Sequence, residues 1–332
     1  YPVMRDWVDY ILRVDEKQCG GKRLWSTGFH FADWLALDNP DKTSSFGGTD
    51  NTYVATAFYY YSALLTAKAA YVLGIRQDAR DYRQLAREIK NAFRREYFSD
   101  RGELTVRTQT AMVLALYFGL APKNIRKMIA GELKKNIRDH GMHLTTGFVG
   151  TCYLCLVLSE CGMDQEAYSL LLQEEYPGWL YEVNMGATTV WERWNSILPD
   201  GHISDTGMNS LNHYAYGVIA EWMYRCMCGL NPVEKNPGFR RAVIAPKPDR
   251  RLRFARCSYD SASGLYESGW EWKKEGILFQ IRVPFDAKAR FILPYSGKKA
   301  YLNGRRNSSL ERTGKLLLEP GYYEIFLSAG RR

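Results

Sequence analysis

The sequence has 332 residues, of which 46% are hydrophobic, and it carries a formal net charge of +9. This length permits one large domain or two, with enough apolar side chains for a substantial core. No apolar run approaches the roughly 18 residues that a membrane helix needs. The Lys and Arg residues are dispersed and accompany no nucleic-acid-binding motif, so composition argues against a membrane span and against a nucleic acid as partner.

Helical spacing of apolar residues begins at once, over residues 2–14. After an irregular stretch over residues 15–49, Asp50 is a good N-cap for a helix that ends at Gly74. Further helical patterns follow over residues 77–98, 107–120, 123–141, 145–162, 164–175 and 206–230. Such an array of paired helices indicates a helical solenoid or a helical toroid, the (α/α)6 barrel, and the roughly eight or nine helices are too few for a complete toroid.

The pattern changes after a proline-rich segment over residues 231–249, which we interpret as a packed linker. Period-two alternation follows, for example in SGLYESGWEWKKEGILFQIRVP and KLLLEPGYYEIFLS. With Gly and Pro between the runs, this alternation predicts an antiparallel sandwich of short strands. We therefore expect a helical domain over residues 1–235 and an all-β domain over residues 236–332.

Seven cysteines, an odd number, lie mostly in apolar surroundings. The close pairs Cys152/Cys155 and Cys226/Cys228 have spacings that zinc sites use, yet both lie inside apolar helical patterns, where Cys behaves as a small hydrophobe. We therefore predict neither a metal site nor a cofactor. Buried thiols favour a reducing compartment, so the expected location is cytoplasmic.

The irregular stretch contains a candidate sugar-binding site at Asp33 and Trp34. A loop of this length inside a compact domain is usually functional. Asp38 and Asp41 flank a proline and are explained by Asx turns. Neither packing nor capping alone explains why a Trp stands beside a carboxylate at Asp33–Trp34. We therefore expect Trp34 to stack on a sugar ring and Asp33 to accept from the sugar hydroxyls.

The segment GATTVWERWNSILPDG places Glu192 among aromatic residues. Hydrolysis of a glycosidic bond generally uses two carboxyl groups, so a carboxylate beside Trp191 and near Trp194 is a candidate catalytic group. The alternative is a surface ion pair between Glu192 and Arg193 at the start of a helix.

A third candidate is His213 in the segment SLNHYAYG. His213 and Tyr216 are one turn apart in the predicted helix and would share a face. Two interpretations remain open: a histidine satisfied within a helix interior, or a histidine that donates to a sugar hydroxyl.

Six segments occur in a specific order and spacing: GFHFADWLALD, DKTSSFGGTDNTYVATAFYYYSA, QTAMVLALYFGL, HLTTGFVGT, YEVNMGATTVWERWNSILPDGHIS and GMNSLNHYAYG. Together they resemble bacterial α-L-rhamnosidases of glycoside hydrolase family seventy-eight. The resemblance extends from YPVMRDWVDYI to the segment IAPKPD. It implies an (α/α)6 toroid of the six-hairpin glycosidase type, here partial, followed by a C-terminal β-sandwich.

The resemblance also implies an activity, the release of terminal α-L-rhamnose with inversion of configuration. It assigns the general base to Glu192, a substrate-binding histidine to His213 and an aromatic subsite residue to Trp34. The expected ligand is a rhamnose-containing glycoside or oligosaccharide. Substrate-binding roles are also expected for Asp33, Trp191, Arg193 and Trp194.

The chain departs from the family pattern in two places. The family's general acid lies in an upstream Asp-Glu-Arg-x-Gly-Trp segment, which this sequence lacks. The loop reads FADW where the family usually has Gly-Asp-Trp, so Ala32 replaces a glycine and one backbone angle is in question. We therefore expect a fragment without its general acid, whose barrel a missing N-terminal segment or another chain completes. Unpartnered helix faces should then form an exposed apolar patch.

Two other interpretations of the function remain open. The chain could be another toroidal glycosidase or a polysaccharide lyase on the same scaffold, or a non-catalytic carbohydrate-binding module. Assays on aryl rhamnosides and aryl glucosides distinguish an α-L-rhamnosidase from another toroidal glycosidase or a lyase. A non-catalytic module would have no activity to lose, and its sugar affinity would survive Glu192→Gln.

Overall fold

The computed structural model describes residues 1–41, 43–295 and 298–329, and the chain divides into two compact units. The first unit spans Tyr1–Val218 and is helical, whereas the second begins at Ile219 and consists mainly of strands. This is the order of helical and β parts that the sequence predicts. The domain boundary after residue 235 stays a prediction.

Eight α-helices form the first unit within the described residues. They are α1 (Pro2–Gln18), α2 (Asn51–Val72), α3 (Arg76–Tyr97), α4 (Gln109–Tyr117), α5 (Arg126–Asp139), α6 (Phe148–Glu160), α7 (Asp164–Leu171) and α8 (Trp179–Asn184). Neighbours in sequence pack together, most extensively α2 with α3, while α4 packs on both α5 and α6. The sequence predicts the first seven of these helices and does not predict α8.

Two kinds of helix build the core of this unit. α3 is amphipathic, because Tyr82, Ile89 and Phe93 are buried at helical spacing while most of its Arg residues are exposed. α4 is apolar on every side, and all residues from Gln109 to Leu116 are buried. A helix of this kind belongs inside a unit rather than on its surface. In the part of the chain that the structure describes, no helix is long and apolar enough to cross a membrane.

The helix predicted over residues 206–230 is wrong over its first part. Residues 206–214 form turns and irregular backbone, and helical structure begins only with a 3-10 turn at Ala215–Val218. In the second unit the chain continues as α9 (Ile219–Trp222) and then as a π-helical turn (Met223–Met227).

The second unit has ten described strands in two sheets. They are β1 (Leu230–Pro232), β2 (Arg241–Ile244), β3 (Phe254–Ser261), β4 (Gly264–Lys273), β5 (Gly276–Val283), β6 (Lys288–Ile292), β7 (Ala300–Leu302), β8 (Arg305–Arg306), β9 (Lys315–Leu318) and β10 (Gly321–Ser328), with α10 (Ser308–Thr313) before β9. The sheet orders are β1-β2-β6-β9 and β3-β4-β5-β10-β7-β8. Every pair is antiparallel except β2–β6, which is parallel and corrects the prediction of purely antiparallel pairing.

Alternation along the strands produces the core of the second unit. On β5, Ile277, Phe279 and Ile281 are buried on one face, as period two requires. The ring of Phe279 contacts that of Phe291 on β6, with centroids 5.4 Å apart. Because β5 and β6 belong to different sheets, this contact joins the two sheets face to face. The segment interpreted as a linker contributes part of β1 and the whole of β2 to this arrangement.

Asp50 caps α2, as the sequence predicts, because its Oδ1 accepts from the Tyr53 N–H at 2.8 Å and from the Tyr97 hydroxyl at 3.1 Å. We predict that Asp50→Ala lowers the free energy of unfolding by about 1–2 kcal/mol, the usual cost of losing an N-cap acceptor. Urea unfolding followed by circular dichroism measures this loss. Asp50→Asn keeps an acceptor oxygen and should retain most of the stability, so equal losses in the two variants would contradict a capping role.

Candidate active site

Asp33 is fully buried against the start of α6, although it belongs to a loop far earlier in the chain. Its Oδ2 accepts from the Gly147 N–H at 2.8 Å, and its Oδ1 accepts from the Gly150 N–H at 2.9 Å. The Thr110 hydroxyl donates a third hydrogen bond to Oδ2. N–H groups in the first turn of a helix lack partners within the helix, and a carboxylate there also meets the positive end of the helix dipole. Asp33 thus fastens its loop to α6.

The environment of Asp33 favours a positioning role. Burial raises the pKa of Asp33 to about 6, although the bonds from Thr110, Gly150 and Gly147 oppose that shift. The carboxyl group has no exposed surface and already accepts from three donors. The expected contact of Asp33 with sugar hydroxyls stays a prediction, and this geometry does not favour it.

Two glycines allow the loop to approach α6 so closely. A Cβ atom at Gly147 would overlap the Trp34 carbonyl oxygen, and one at Gly150 would overlap the Thr110 hydroxyl. The Trp34 carbonyl instead accepts from the Phe148 N–H at 2.9 Å. Glycine is therefore required at Gly147 by close approach of the Asp33–Trp34 backbone and at Gly150 by close packing of the Thr110 side chain.

The backbone is strained on both sides of the Asp33–Trp34 pair. Ala32 and Leu35 adopt left-handed conformations with φ of 50° and 58°. Each such residue costs about 1–2 kcal/mol when it is not glycine. The Leu35 N–H donates to the Ser45 carbonyl at 2.7 Å, which helps to hold the loop in this form. A positive φ favours glycine, which explains why the family usually has a glycine at the position of Ala32. Backbone strain of this kind clusters at functional sites.

Trp34 is partly exposed within a group of aromatic rings. Its ring meets those of Phe31 and Phe46 edge-on, with centroids 5.3 Å and 4.9 Å away, and its Nε1 donates to the Met208 sulfur at 3.2 Å. Phe29 is 68% exposed and contacts the Phe31 ring at 4.8 Å. Exposed rings that do not fill a core offer a surface on which an apolar sugar face can stack.

Glu192 lies in irregular backbone. The alternative interpretation, an ion pair at the start of a helix, is therefore wrong in placing a helix there. Its N–H donates to the Ser210 carbonyl at 2.9 Å, and its Oε2 accepts from the Ser210 N–H at 3.2 Å. These bonds fix both the backbone and one carboxylate oxygen of a partly exposed side chain. A carboxylate in this position can act as a general base towards a water that reaches it.

The two tryptophans beside Glu192 are buried. Trp191 is 2% exposed and Trp194 is 1% exposed. The Trp194 ring stacks on Tyr216 at a centroid distance of 3.9 Å and meets Trp179 of α8 edge-on at 5.2 Å. Their substrate-binding roles stay predictions, and their burial favours a role in supporting the loop.

Glu182 is a further carboxyl group that contacts the Glu192 loop. It lies on α8, is 3% exposed, and its Oε2 accepts from the Trp191 N–H at 3.3 Å. Burial raises the pKa of Glu182 to about 8, with the Trp191 N–H acting in the opposite direction. The group is therefore mostly neutral at neutral pH, and it supports the loop without adding a charge beside Glu192. No local pattern marks it, since its burial depends on the packing of α8.

His213 precedes the 3-10 turn instead of sharing a helix face with Tyr216, which corrects the predicted spacing. Its N–H donates to the Val190 carbonyl at 2.8 Å, two residues before Glu192. Its ring stacks on Phe148 at 5.1 Å, and Tyr216 contacts the same ring at 5.4 Å. The His213 Nδ1 accepts from the Ala215 N–H at 3.3 Å. The neutral ring therefore carries its proton on Nε2, which can donate it to a hydroxyl.

Arg193 borders a cavity of about 490 Å³. Leu35, next to Trp34, lines the same cavity, together with Tyr176, Asn195 and His143. This volume lies within the range of small-molecule sites. The cavity thus adjoins both the Asp33–Trp34 loop and the Glu192 loop, while substrate binding by Arg193 stays a prediction.

Comparison with known families gives two matches that cover most of the chain. Residues 1–227 match the model of the bacterial alpha-L-rhamnosidase 6 hairpin glycosidase domain. Residues 229–307 match the bacterial alpha-L-rhamnosidase C-terminal domain. The predicted fold class, a six-hairpin glycosidase domain followed by a β-sandwich, is confirmed.

The relatives in these comparisons are longer than this chain. An alpha-L-rhamnosidase of Alteromonas sp. (strain LOR) is 38% identical and one of Formosa agariphila is 35% identical, each over 98% of this chain. The chain spans 35% of each of these two relatives. The crystal structure of a Streptomyces avermitilis alpha-L-rhamnosidase complexed with L-rhamnose matches with a TM-score of 0.84 and 32% identity, over 98% of this chain and 30% of that one. A native Aspergillus terreus enzyme matches with a TM-score of 0.84 and 31% identity, over 99% and 36%.

The burial of Glu182 predicts a pH-dependent effect on stability. In the unfolded chain this carboxyl ionises near 4.5, whereas in the folded chain it ionises only near 8. Its contribution to stability is therefore fully present below pH 4.5 and lost as the pH rises to about 8, by at most about 1.4 kcal/mol per pH unit. Glu182→Gln cannot ionise and keeps an acceptor for the Trp191 N–H. Relative to the unchanged chain, the variant should become progressively more stable across this window.

Urea unfolding at several pH values between about 5 and 8 measures this difference. Glu175→Gln is the matched control, because Glu175 lies on the same part of the chain and is exposed. Its curve should run parallel to that of the unchanged chain. A stability difference for Glu182→Gln that does not change with pH would contradict the buried neutral carboxyl.

Proposed function

The chain belongs to the bacterial α-L-rhamnosidase family, and from this premise we propose that it supplies the general base of an inverting hydrolase that releases terminal α-L-rhamnose. The observation that supports the proposal is a chain of contacts at the first turn of α6: Phe148 donates its N–H to the Trp34 carbonyl and stacks on His213, and the His213 N–H donates to the Val190 carbonyl in the Glu192 loop. A carboxylate can deprotonate a water, an imidazole N–H can donate to a hydroxyl, and an indole can stack on a sugar.

In the proposed reaction Glu192 acts on a water molecule. An inverting glycosidase holds its two carboxyl groups about 6.5–9.5 Å apart, which leaves room for that water. Glu192 takes a proton from the water as the water oxygen attacks the anomeric carbon. The glycosidic oxygen leaves with a proton from the general acid, and the sugar is released with inverted configuration.

The general acid of this proposal lies outside the chain. The Asp-Glu-Arg-x-Gly-Trp segment that holds it in the family is absent from the sequence. The match to the Alteromonas relative covers 35% of that protein, which leaves ample length for such a segment. We also propose a cytoplasmic location, which the seven cysteines support.

The exposed face of α1 supports a partner that completes the barrel, either a further segment or another chain. Val3, Trp7 and Tyr10 lie at i, i+4 and i+7, so they share one face of the helix. They are 82%, 49% and 48% exposed. Apolar side chains aligned on one helix face are typical of a surface that packs against a partner.

We predict that the 332-residue chain alone binds the dye 8-anilinonaphthalene-1-sulfonate through this face. The double variant Val3→Glu/Trp7→Glu should bind much less dye and keep its circular dichroism spectrum. Arg5→Glu introduces the same side chain on another face of α1 and serves as the control. Dye binding that is equal in all three proteins would show that the dye binds elsewhere, and would contradict the α1 face as the apolar surface that a partner covers.

We predict hydrolysis of aryl α-L-rhamnosides, and not of aryl glucosides, when the chain is produced together with the rest of the barrel. Glu192→Gln should lower kcat by about 10²–10⁴-fold with little change in KM, because a general base acts in the transition state. Release of the aryl group gives the rates, and proton NMR of the first product gives its configuration. Glu175→Gln is the exposed control.

Each other outcome identifies a different function. Hydrolysis of glucosides would indicate another toroidal glycosidase, and an unsaturated product would indicate a lyase. Sugar binding that is unaffected by Glu192→Gln, without hydrolysis, would indicate a carbohydrate-binding module. Retained configuration, or full activity of Glu192→Gln, would remove Glu192 from the role of general base.

A further inference from the structure

In the second unit, the end of the π-helical turn is fixed on β4. The Trp270 Nε1 donates to the Met227 carbonyl at 2.8 Å, and the Ser268 hydroxyl donates to the Cys228 carbonyl at 2.6 Å. Ser268 and Trp270 are two residues apart on a strand, so their side chains point to the same face of the sheet. These two hydrogen bonds, to the carbonyl groups of Met227 and Cys228, hold the Cys228 backbone above that face.

Cys257 lies on β3 directly opposite Ser268 in the antiparallel register. Opposite residues of such a pair project to the same face, with Cβ atoms about 4.5–5.5 Å apart. The Cys257 side chain therefore lies on the face that also carries Cys228. The two thiols interact electrostatically, as neighbours on this face of the sheet do, and the Cys257 thiol also interacts with the Ser268 backbone. Both cysteines are thiols in the structure and not part of a disulfide.

The two thiols differ in reactivity. The interaction with Cys228 lowers the pKa of Cys257, and the same interaction together with burial raises the pKa of Cys228. Since the thiolate is the attacking form, Cys257 is the nucleophile of the pair. Cys257 is also the more accessible of the two, because it is partly exposed on the edge strand β3, whereas Cys228 is 3% exposed.

We infer that Cys228 and Cys257 form a dithiol site that a low-molecular-weight disulfide, such as oxidised glutathione, converts into an internal disulfide. The Cys257 thiolate attacks one sulfur of the oxidant, which gives a mixed disulfide and releases one glutathione thiolate. The Cys228 thiol then loses its proton to solvent and attacks the Cys257 sulfur, which releases the second glutathione thiolate. The protein loses two electrons, and one glutathione disulfide becomes two glutathione molecules. The site rests on the geometry of the second unit and not on the proposed hydrolase activity.

The experiment treats the folded 332-residue chain with oxidised glutathione, quenches with acid and maps the peptides by mass spectrometry. We expect a cross-link between the peptides of Cys228 and Cys257 to form before any other cystine, and dithiothreitol to reverse it. Cys228→Ser should stop at Cys257 joined to glutathione. Cys257→Ser should leave Cys228 unmodified over the same period. Cys226→Ser, a change within the same turn, should leave the cross-link intact.

Thermal unfolding gives a second measurement. The cross-link should raise the unfolding temperature of the oxidised chain by on the order of 5 °C, because it restricts the unfolded state. The shift should disappear in Cys228→Ala and Cys257→Ala, which also replace the serine variants if those fold poorly. The inference is overturned if cystines form first at other cysteines, or if Cys257 fails to accumulate glutathione in Cys228→Ser, whose hydroxyl keeps a hydrogen-bond donor beside Cys257.

Discussion

The first turn of α6 and the carboxyl group of Asp33 that satisfies it are the constraint on which the rest of the site depends. Burying a carboxylate costs free energy unless donors surround it. Here two backbone N–H groups and the Thr110 hydroxyl supply those donors. Removal of the carboxylate would leave these donors buried and unsatisfied, at about 1–3 kcal/mol each. The free energy gained by satisfying these three donors is large enough to offset the left-handed backbone of Ala32 and Leu35. It therefore fixes the backbone that carries Trp34.

The same helix end organises the second half of the site. Phe148, the first residue of α6, donates its N–H to the Trp34 carbonyl and presents its ring to His213 and Tyr216. Tyr216 in turn stacks on Trp194, two residues after Glu192. The Asp33–Trp34 loop and the Glu192 loop are therefore both held, directly or through His213 and Tyr216, by the start of α6. A site positioned in this way keeps its geometry without a ligand, which reduces the entropy that binding must overcome.

Local patterns in the sequence predict the parts of this structure that depend on local interactions. Seven helices and the Asp50 cap follow from apolar spacing and capping chemistry. The helix expected around His213 does not form there, because Met208 and the glycine before it adopt positive φ and the backbone follows tertiary contacts instead. Local patterns do not predict the burial of Glu182 or the parallel pairing of β2 with β6, because residues far apart in the chain decide burial and strand partners. Asp33 shows the opposite problem, because a loop carboxylate beside a Trp suggests ligand binding and gives no sign of the helix it caps.

Three carboxyl groups near the candidate site have different environments, and these environments suit them to different roles. Asp33 and Glu182 are buried, and burial raises the pKa of the first to about 6 and of the second to about 8. Both groups hold backbone N–H groups in place, and neither is open to a water from solvent. Glu192 is partly exposed and is held through one oxygen by a backbone N–H. Because Glu182 is mostly neutral at neutral pH, it supports the Glu192 loop without the repulsion that a second negative charge would introduce. Access to water, and not the presence of neighbouring tryptophans, is therefore the property that distinguishes Glu192 as the candidate base.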